Sequence, residues 1–600
     1  TFTAPGFTTG SQTVTVRRPA FDLYPIPTTT TTLSPDRAFY AYIGYVSPGY
    51  TYITQQPIRA GGQPATVTIV NDTLGVGQLT TTALTADTVT VVIPVSASTS
   101  PTSVAQGGVA YNPDNPGTTT ISASIPGFDE ATYYNRTIAV SAPGITASAY
   151  TVGAGLQLYG NGYGILGATN HGGVDVVITS ADPSIVLVAP DQSTVGSASL
   201  TVTVPDGQQY FYYNLQALEG VADTGVAQVQ LTFTAPGFTT GSQTVTVRRP
   251  AFDLYPIPAT TTTLSPDAAF YAYIGYVQPG YTYITQQPIR AGGQAATVTL
   301  ANGTPGVGRL ITSTTIGDTV TVVIPVGASS SPTTVAAGGV AFDPLTAGTT
   351  TISGAIPGFD EATYYNRTVA VSAPGITLYE WTVGSGLQRS GYGYLGAADH
   401  GGVDVVIASS APGVARLSPD EGTVGTDTLR VFVPGGSQYF YYTAQGMEGQ
   451  TGTVTTTARA TGFTDGTTPL NVVQPAVGVY GLPGSVQAGA DSVAFYAQVG
   501  VPYASNQYVY EVQAVRAGGS ALTVSLTSSA ASVGRLVTSA QSGGSVTVQI
   551  APGLYYSPSS VVDGGSAFKP LAAGTTVITG AIPGFITTSL DGTRTVTVTP

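Results

Sequence analysis

The residues able to do chemistry are few. His171 and His400 are the only histidines in 600 residues, and each opens a His-Gly-Gly turn four residues ahead of an aspartate, Asp175 or Asp404. Zinc needs three or four ligands at short spacing, and a general base needs a second group to orient it. Neither histidine has such a set. Ala60, Ala291 and Ala517 stand before Gly-Gly in related turns, so the turn does not require an imidazole. Asp22 and Asp253 recur in Pro-Ala-Phe-Asp-Leu-Tyr, but the third copy has Gly478 there, and no alternation of Asp and Asn makes a calcium loop. Asp129-Glu130 and Asp360-Glu361 give way to Ile586-Thr587. All these carboxylates read as solvated turn residues. There is no Gly-x-Ser-x-Gly elbow, phosphate loop or paired-carboxylate cleft, and Gly-rich runs such as Gly160-Asn-Gly-Tyr-Gly read as strand connections. The expectation is a protein that is not an enzyme, with no catalytic residue, no metal ligand and no cofactor.

Tyrosine is the one informative enrichment, with 36 copies. In a strand, alternate side chains face opposite ways. Phe39, Ala41 and Ile43 therefore face a core, and Tyr40, Tyr42 and, further on, Tyr45 belong to the outer surface. The set recurs as Tyr271, Tyr273 and Tyr276, whereas the third copy reads Tyr496, Gln498 and Val501. In 210–216, Phe211, Tyr213 and Leu215 face inward and Tyr210 and Tyr212 outward. These eight tyrosines (40, 42, 45, 210, 212, 271, 273, 276) form a candidate interface, since Tyr is enriched where proteins meet. Cross-strand aromatic packing is the alternative reading. Asn-x-Thr sequons at Asn71, Asn135, Asn302 and Asn366, and the Thr28–Thr32 run, read either as sugar acceptors or as turn and connector residues.

Composition limits the partners. Charged residues make up 8 % of the chain, against roughly 25 % in ordinary soluble domains. The cations are 17 Arg and Lys569, the net charge is −13, and no basic run exceeds Arg17-Arg18, so nucleic acid is excluded as a partner. No apolar run reaches the 18 or so residues of a membrane span, and no cysteine is present. Abundant aromatic and β-branched residues argue for a folded chain. The sequence begins at Thr1, inside a repeat, and reads as part of a longer or processed protein.

Repetition sets the organisation. Residues 1–27 recur unchanged as 232–258. The segment 117–128, alternating small or polar with apolar residues and ending in Ile-Pro-Gly-Phe, returns at 348–359 and 574–585. Successive closing phenylalanines at 7, 128, 238, 359, 463 and 585 lie 121, 110, 121, 104 and 122 residues apart. Long units (A) therefore run 19–144, 250–375 and 475–600. Short units (B) run 145–249 and 376–474, and residues 1–18 are the terminal strands of a preceding B unit. Short period-2 strands separated by Gly- and Pro-rich turns predict an all-β tandem array of immunoglobulin-like antiparallel β-sandwiches. Junctions such as Arg249-Pro250-Ala251 leave hardly any linker.

The B units carry Val-Asp-Val-Val-Ile-Thr-Ser-Ala-Asp-Pro-Ser (174–184), then Thr-Ala-Pro-Gly-Phe and Thr-Val-Thr-Val. This resembles the tandem bacterial immunoglobulin-like (Big-type) domains of cell-surface and extracellular proteins. The resemblance covers the B units well and the A units more loosely. It implies a structural segment of an extracellular rod or filament that gives spacing, assembly or surface attachment. Its partners would be copies of itself or other extracellular surface proteins, with no membrane insertion in this segment. The alternatives are a glycan-binding adhesin using the Tyr faces, or the spacer arm of a larger extracellular enzyme.

Overall fold

The computed structural model describes residues 1–222 and 225–600. Its strands follow from the alternation just read. Ala65–Asn71 and Thr88–Ile93 bury every second side chain, so pairing them in register presents one apolar face. Among the described residues the helical turns are short 3-10 turns, Val104–Gln106 and Val335–Ala337. Among the described residues no helix is long and apolar enough to cross a membrane.

The strands assemble five immunoglobulin-like sandwiches in tandem. In the first A unit one sheet orders Asp129–Glu130, Ala20–Tyr24, Arg37–Val46, Val109–Pro113, Gly77–Thr80 and Thr85–Ala86, with Ile53–Gln55 beside Arg37–Val46. The facing sheet orders Thr29–Thr31, Thr137–Ser141, Gly117–Ser124, Ala65–Asn71 and Thr88–Ile93. In the first B unit, Ile145–Ala147, Gly162–Leu166, Tyr210–Ala217 and Val186–Ala189 face the sheet Tyr150–Gly153, Gly241–Arg248, Ala227–Thr234, Val174–Ser180 and Ser199–Val204. The later units repeat these orders. Pairing is antiparallel except at edges. There the opening chain segment crosses between sheets and runs parallel to the closing strand, as Thr29–Thr31 does beside Thr137–Ser141 and Tyr150–Gly153 beside Gly241–Arg248.

The cores do not divide evenly. The first A unit has its own, around Phe39, Leu79, Tyr111 and Ile121. The first B unit and the second A unit share one continuous core, with Leu156 and Ile289 at the seam. Leu387 of the second B unit is likewise buried in the core of the third A unit. The structural couple is thus B followed by A. Residues 1–18 hold a single β-bridge, between Phe2 and Gly10, and Arg18 meets Asp129 at 3.2 Å.

Two outcomes follow. Leu156→Ala should cost about 2–5 kcal/mol and lower hydrogen-exchange protection in both 145–248 and 251–372; loss confined to 145–248 would mean the two cores act separately. Tyr111 is fully buried in the core and its hydroxyl has no partner, whereas Phe342 and Phe568 fill that place in the other A units. Tyr111→Phe should therefore stabilise the first A unit by about 1–3 kcal/mol, read as slower exchange of its core amides.

Candidate functional site: the tyrosine face and the B–A seam

On the outer face of the first A unit, seven tyrosines touch in series. Ring centroids lie 5.2 Å apart for Tyr50–Tyr52, 6.1 Å for Tyr52–Tyr133, 4.9 Å for Tyr133–Tyr134, 4.5 Å for Tyr134–Tyr24, 6.1 Å for Tyr24–Tyr40 and 6.2 Å for Tyr134–Tyr42. The second A unit repeats the series from Tyr281 to Tyr271 and Tyr273. There the rings line an open hollow of about 530 Å³, with Gln286 at its edge.

Tyr40 and Tyr271 lie half-covered on this face, as do Tyr45 and Tyr276 nearer the strand end. Tyr42 and Tyr273 correct the expectation of an outward, available side chain. They point away from the main core but are only 5 % exposed, because Ala20, Ile53 and Ala131 close over Tyr42 as a small second core. Ala251, Ile284 and Ala362 do the same over Tyr273. Tyr210 and Tyr212 do face solvent on the B unit, with Phe211, Tyr213 and Leu215 buried behind them.

What holds the closing loop down is a group that had read as a solvated turn residue. Asp22 is fully buried. Arg136 donates to its Oδ1 from Nη2 at 2.6 Å and from Nε at 3.1 Å, and the backbone N–H groups of Tyr133 and Tyr134 donate to its Oδ2 at 3.2 and 3.3 Å. Arg136 also meets Glu130 at 3.0 Å. Asp253, Arg367 and Glu361 repeat the arrangement. The ion pair thereby fixes the two tyrosines that cap the face. In the third A unit Gly478 takes the aspartate's place: a Cβ there would sit 2.7 Å from the ring of Tyr480, whose hydroxyl donates to Asp591 at 2.8 Å.

Two sequon asparagines are also not turn residues. Asn71 and Asn302 are buried, and each donates to the carbonyl of Gly77 or Gly308, at 2.6 and 2.7 Å. Asn135 and Asn366 lie in exposed turns. The histidines are turn clamps: Nδ1 of His171 accepts from the N–H of Gly173, so Nε2 carries the hydrogen and donates to the Gln208 carbonyl at 2.9 Å. His400 does the same with Gly402 and Ser437. No group of three metal-ligating side chains occurs among the described residues.

The seam between B and A is the feature the sequence reading missed. The Gln287 side chain accepts from the N–H of Gly153 at 2.8 Å and donates to the Thr151 carbonyl at 2.9 Å, so one primary amide spans two units. In return, Gln157 of the B unit accepts from the N–H of Ala291 at 3.1 Å and from Gln216 at 3.1 Å. All three glutamines are buried. Outside them Arg290 grips Glu219 through two parallel bonds, Nε to Oε1 at 3.1 Å and Nη2 to Oε2 at 2.7 Å. The second couple repeats every part: Gln513 on Gly384 and Thr382, Gln388 on Ala517 and Gln445, Arg516 on Glu448. A signal was available, because Gln-x-x-Arg-Ala persists as 513–517 in the copy whose tyrosine face has changed.

Burial, then the charge of Asp22 or Asp253, raises the phenols of Tyr42 and Tyr273 above their ordinary value of 10.0. The folded chain holds these protons more tightly than the unfolded one. The stability they contribute is therefore complete below pH 10 and is lost as pH rises from the unfolded value towards the folded one. An absorbance titration of tyrosinate should show a late class ionising together with loss of A-unit structure. A single step near pH 10 with the fold intact would contradict it.

No family model matches the chain, and no curated protein does. Among solved structures it is similar to a tetra-tandem repeat in the extending region of a large adhesion protein (12 % identity, 76 % of this chain and 98 % of that one, TM-score 0.13). It is similar also to domains 4–9 of the surface layer protein SbsC (14 % identity, 94 % and 76 %, TM-score 0.19) and to CBD12 from CALX1.2 (10 % identity, 38 % and 99 %, TM-score 0.20). Likenesses at such scores carry no argument about what this chain does.

Proposed function

We propose that the chain is a segment of an extracellular rod or filament, serving spacing, assembly or surface attachment. The observation that carries this reading is the B–A seam, built twice from the same residues with its buried amides satisfied on both sides. A protein whose work is its shape needs junctions as ordered as its domains. Strands of about ten residues rising about 3.3 Å each make a sandwich roughly 35–40 Å long, so five in line would reach roughly 150–200 Å. Electron micrographs and small-angle scattering should show elongated particles of that size. The double variant Gln287→Ala with Gln513→Ala should broaden the distribution of bend angles at both seams. Compact particles, or seams indifferent to the loss of both amides, would overturn the reading.

The tyrosine hollow of the second A unit supports a second reading, a glycan-binding surface. Exposed aromatic faces with phenol hydroxyls at their rims suit the apolar face and hydroxyl edge of a sugar ring. Tyr283→Ala with Tyr364→Ala, two exposed rings of the series, should abolish binding on a glycan array if the hollow takes sugar. An unmodified chain that binds no glycan would remove this reading and leave the first intact.

A further inference from the structure

The second B unit carries an aromatic surface that the sequence reading did not single out. Its outer sheet pairs Leu387–Leu395 with Tyr439–Gly446, and the register sets Tyr392 opposite Tyr441 and Tyr394 opposite Tyr439. Tyr379 joins them from just past the edge strand Ile376–Leu378. Ring centroids lie 5.2 Å apart for Tyr379–Tyr392, 5.9 Å for Tyr392–Tyr439, 6.4 Å for Tyr392–Tyr441 and 5.5 Å for Tyr394–Tyr439. Tyr439 and Tyr441 are 54 % and 65 % exposed, Tyr379 and Tyr392 45 % and 41 %. Gly391 and Gly393 alternate with these rings, and a side chain at either would run into Trp381 or Phe440. The core rings therefore press directly against the backbone that carries the platform. At one end Glu421 accepts from the Ser390 hydroxyl at 2.9 Å through Oε1 and turns an exposed carboxylate to the rim. The neighbouring arginines are engaged elsewhere, Arg389 with Glu511 at 2.9 Å and Arg416 with Asp427 at 3.8 Å.

We propose that this platform binds a neutral, flat polysaccharide, stacking successive sugar rings on Tyr392, Tyr394, Tyr439 and Tyr441 and receiving a sugar hydroxyl at Glu421. The face of an aromatic ring is electron-rich and attracts the polarised C–H groups on the apolar face of a sugar. A level sheet touches only one side of each sugar, so several must lie on it at once, which selects an extended polymer over a single residue. The outward positions of the two strands flanking the platform are rings and hydroxyls, Ser390 and Thr443 beside the tyrosines, with no aliphatic side chain to fill the pockets of a protein partner. An anionic polymer would meet the Glu421 carboxylate and cations already paired. The first B unit is an internal comparison. Ser148 and Ile165 stand at the places of Tyr379 and Tyr394, and Gln192, at the place of Glu421, turns its amide to the Leu158 carbonyl at 2.7 Å. Of the five ring positions it keeps three, Tyr163, Tyr210 and Tyr212. The platform is separate from the hollow of the second A unit, and neither depends on the other.

The test mixes the full chain with suspended microcrystalline cellulose, with suspended chitin and with dissolved alginate as the anionic counterpart, and measures how much chain each polymer takes. The chain should bind cellulose or chitin and leave alginate alone. Tyr392→Ala with Tyr441→Ala should weaken that binding at least about tenfold, as truncation of aromatic anchors does. Glu421→Gln should weaken it less, and Tyr163→Ala with Tyr212→Ala, in the first B unit, should change it least. Tyr392→Phe with Tyr441→Phe, which keeps the rings, should retain it. Hydrogen exchange of the core strand Val403–Ser409 tells a folded variant from an unfolded one, and Tyr441→Ser alone, at the most exposed ring, carries the test should the alanine pair unfold. The proposal is overturned if the full chain binds neither neutral polymer, if the alanine pair binds as before with Val403–Ser409 protected, or if alginate is the polymer taken. Binding that survives the alanine pair and is lost in Tyr283→Ala with Tyr364→Ala would assign the sugar to the hollow of the second A unit and overturn it as well. So would a chain that dimerises through Tyr392 and Tyr441 and binds neither polymer, since the occupant would then be a second copy.

Discussion

A primary amide buried between two backbones has to be satisfied on both sides, and in this protein that demand sets how one sandwich meets the next. Gln287 takes an N–H from Gly153 and gives one to the carbonyl of Thr151, acting as an additional rung between units. Leaving either bond unmade inside the seam would cost the desolvation of a polar group, about 1–3 kcal/mol. A slide or tilt that breaks these bonds is therefore opposed more sharply than apolar contact alone would oppose it. With the amide in place, Leu156 lies against Ile289 and Arg290 reaches Glu219 with both nitrogens. The apolar contact supplies most of the attraction, and the glutamines choose the one geometry in which it is made.

The same logic operates within the A units. A fully buried aspartate is tolerable only because an arginine and several backbone N–H groups meet it, and those groups belong to the loop that carries Tyr133 and Tyr134. The third A unit solves the problem without the ion pair: the carboxylate disappears with Gly478, and Tyr480 turns to Asp591. The outer face is thus a site where two polar arrangements serve one fold, each with its own tyrosine contacts: Tyr133 and Tyr134 cap the first, and Tyr480, Tyr496 and Tyr556 meet in the third unit.

The sandwich architecture was legible because a period of two is a direct consequence of strand geometry, and the repeated Pro-Gly-Phe closure marks where each sandwich ends. The direction in which Tyr40 and Tyr42 point was legible for the same reason. Whether they meet solvent was not, since alternation says which face a side chain is on and is silent about a loop some 90 residues away that covers it. Asp22 was misread because its partner Arg136 is 114 residues distant and no local pattern joins them. The glutamine seam escaped because Gln is ordinarily a surface residue. Only the persistence of Gln513 and Arg516, beside tyrosines that had changed, distinguished it.

The shared core of residues from both 145–248 and 251–372 changes what the chain does under tension. A string of independent sandwiches yields one domain at a time, each release short. In this couple a pulling force would have to shear a seam whose apolar floor belongs to both neighbours, so the first B unit and the second A unit should give way together. A couple of about 230 residues, at about 3.3–3.6 Å per extended residue, pays out roughly 700 Å of slack in that event. At the boundary from the second A unit to the second B unit the half-buried Leu264 packs against the next core, but the two cores stay separate. The load-extension behaviour expected is therefore that of a chain of three links for five sandwiches, the first A unit alone and two B–A couples.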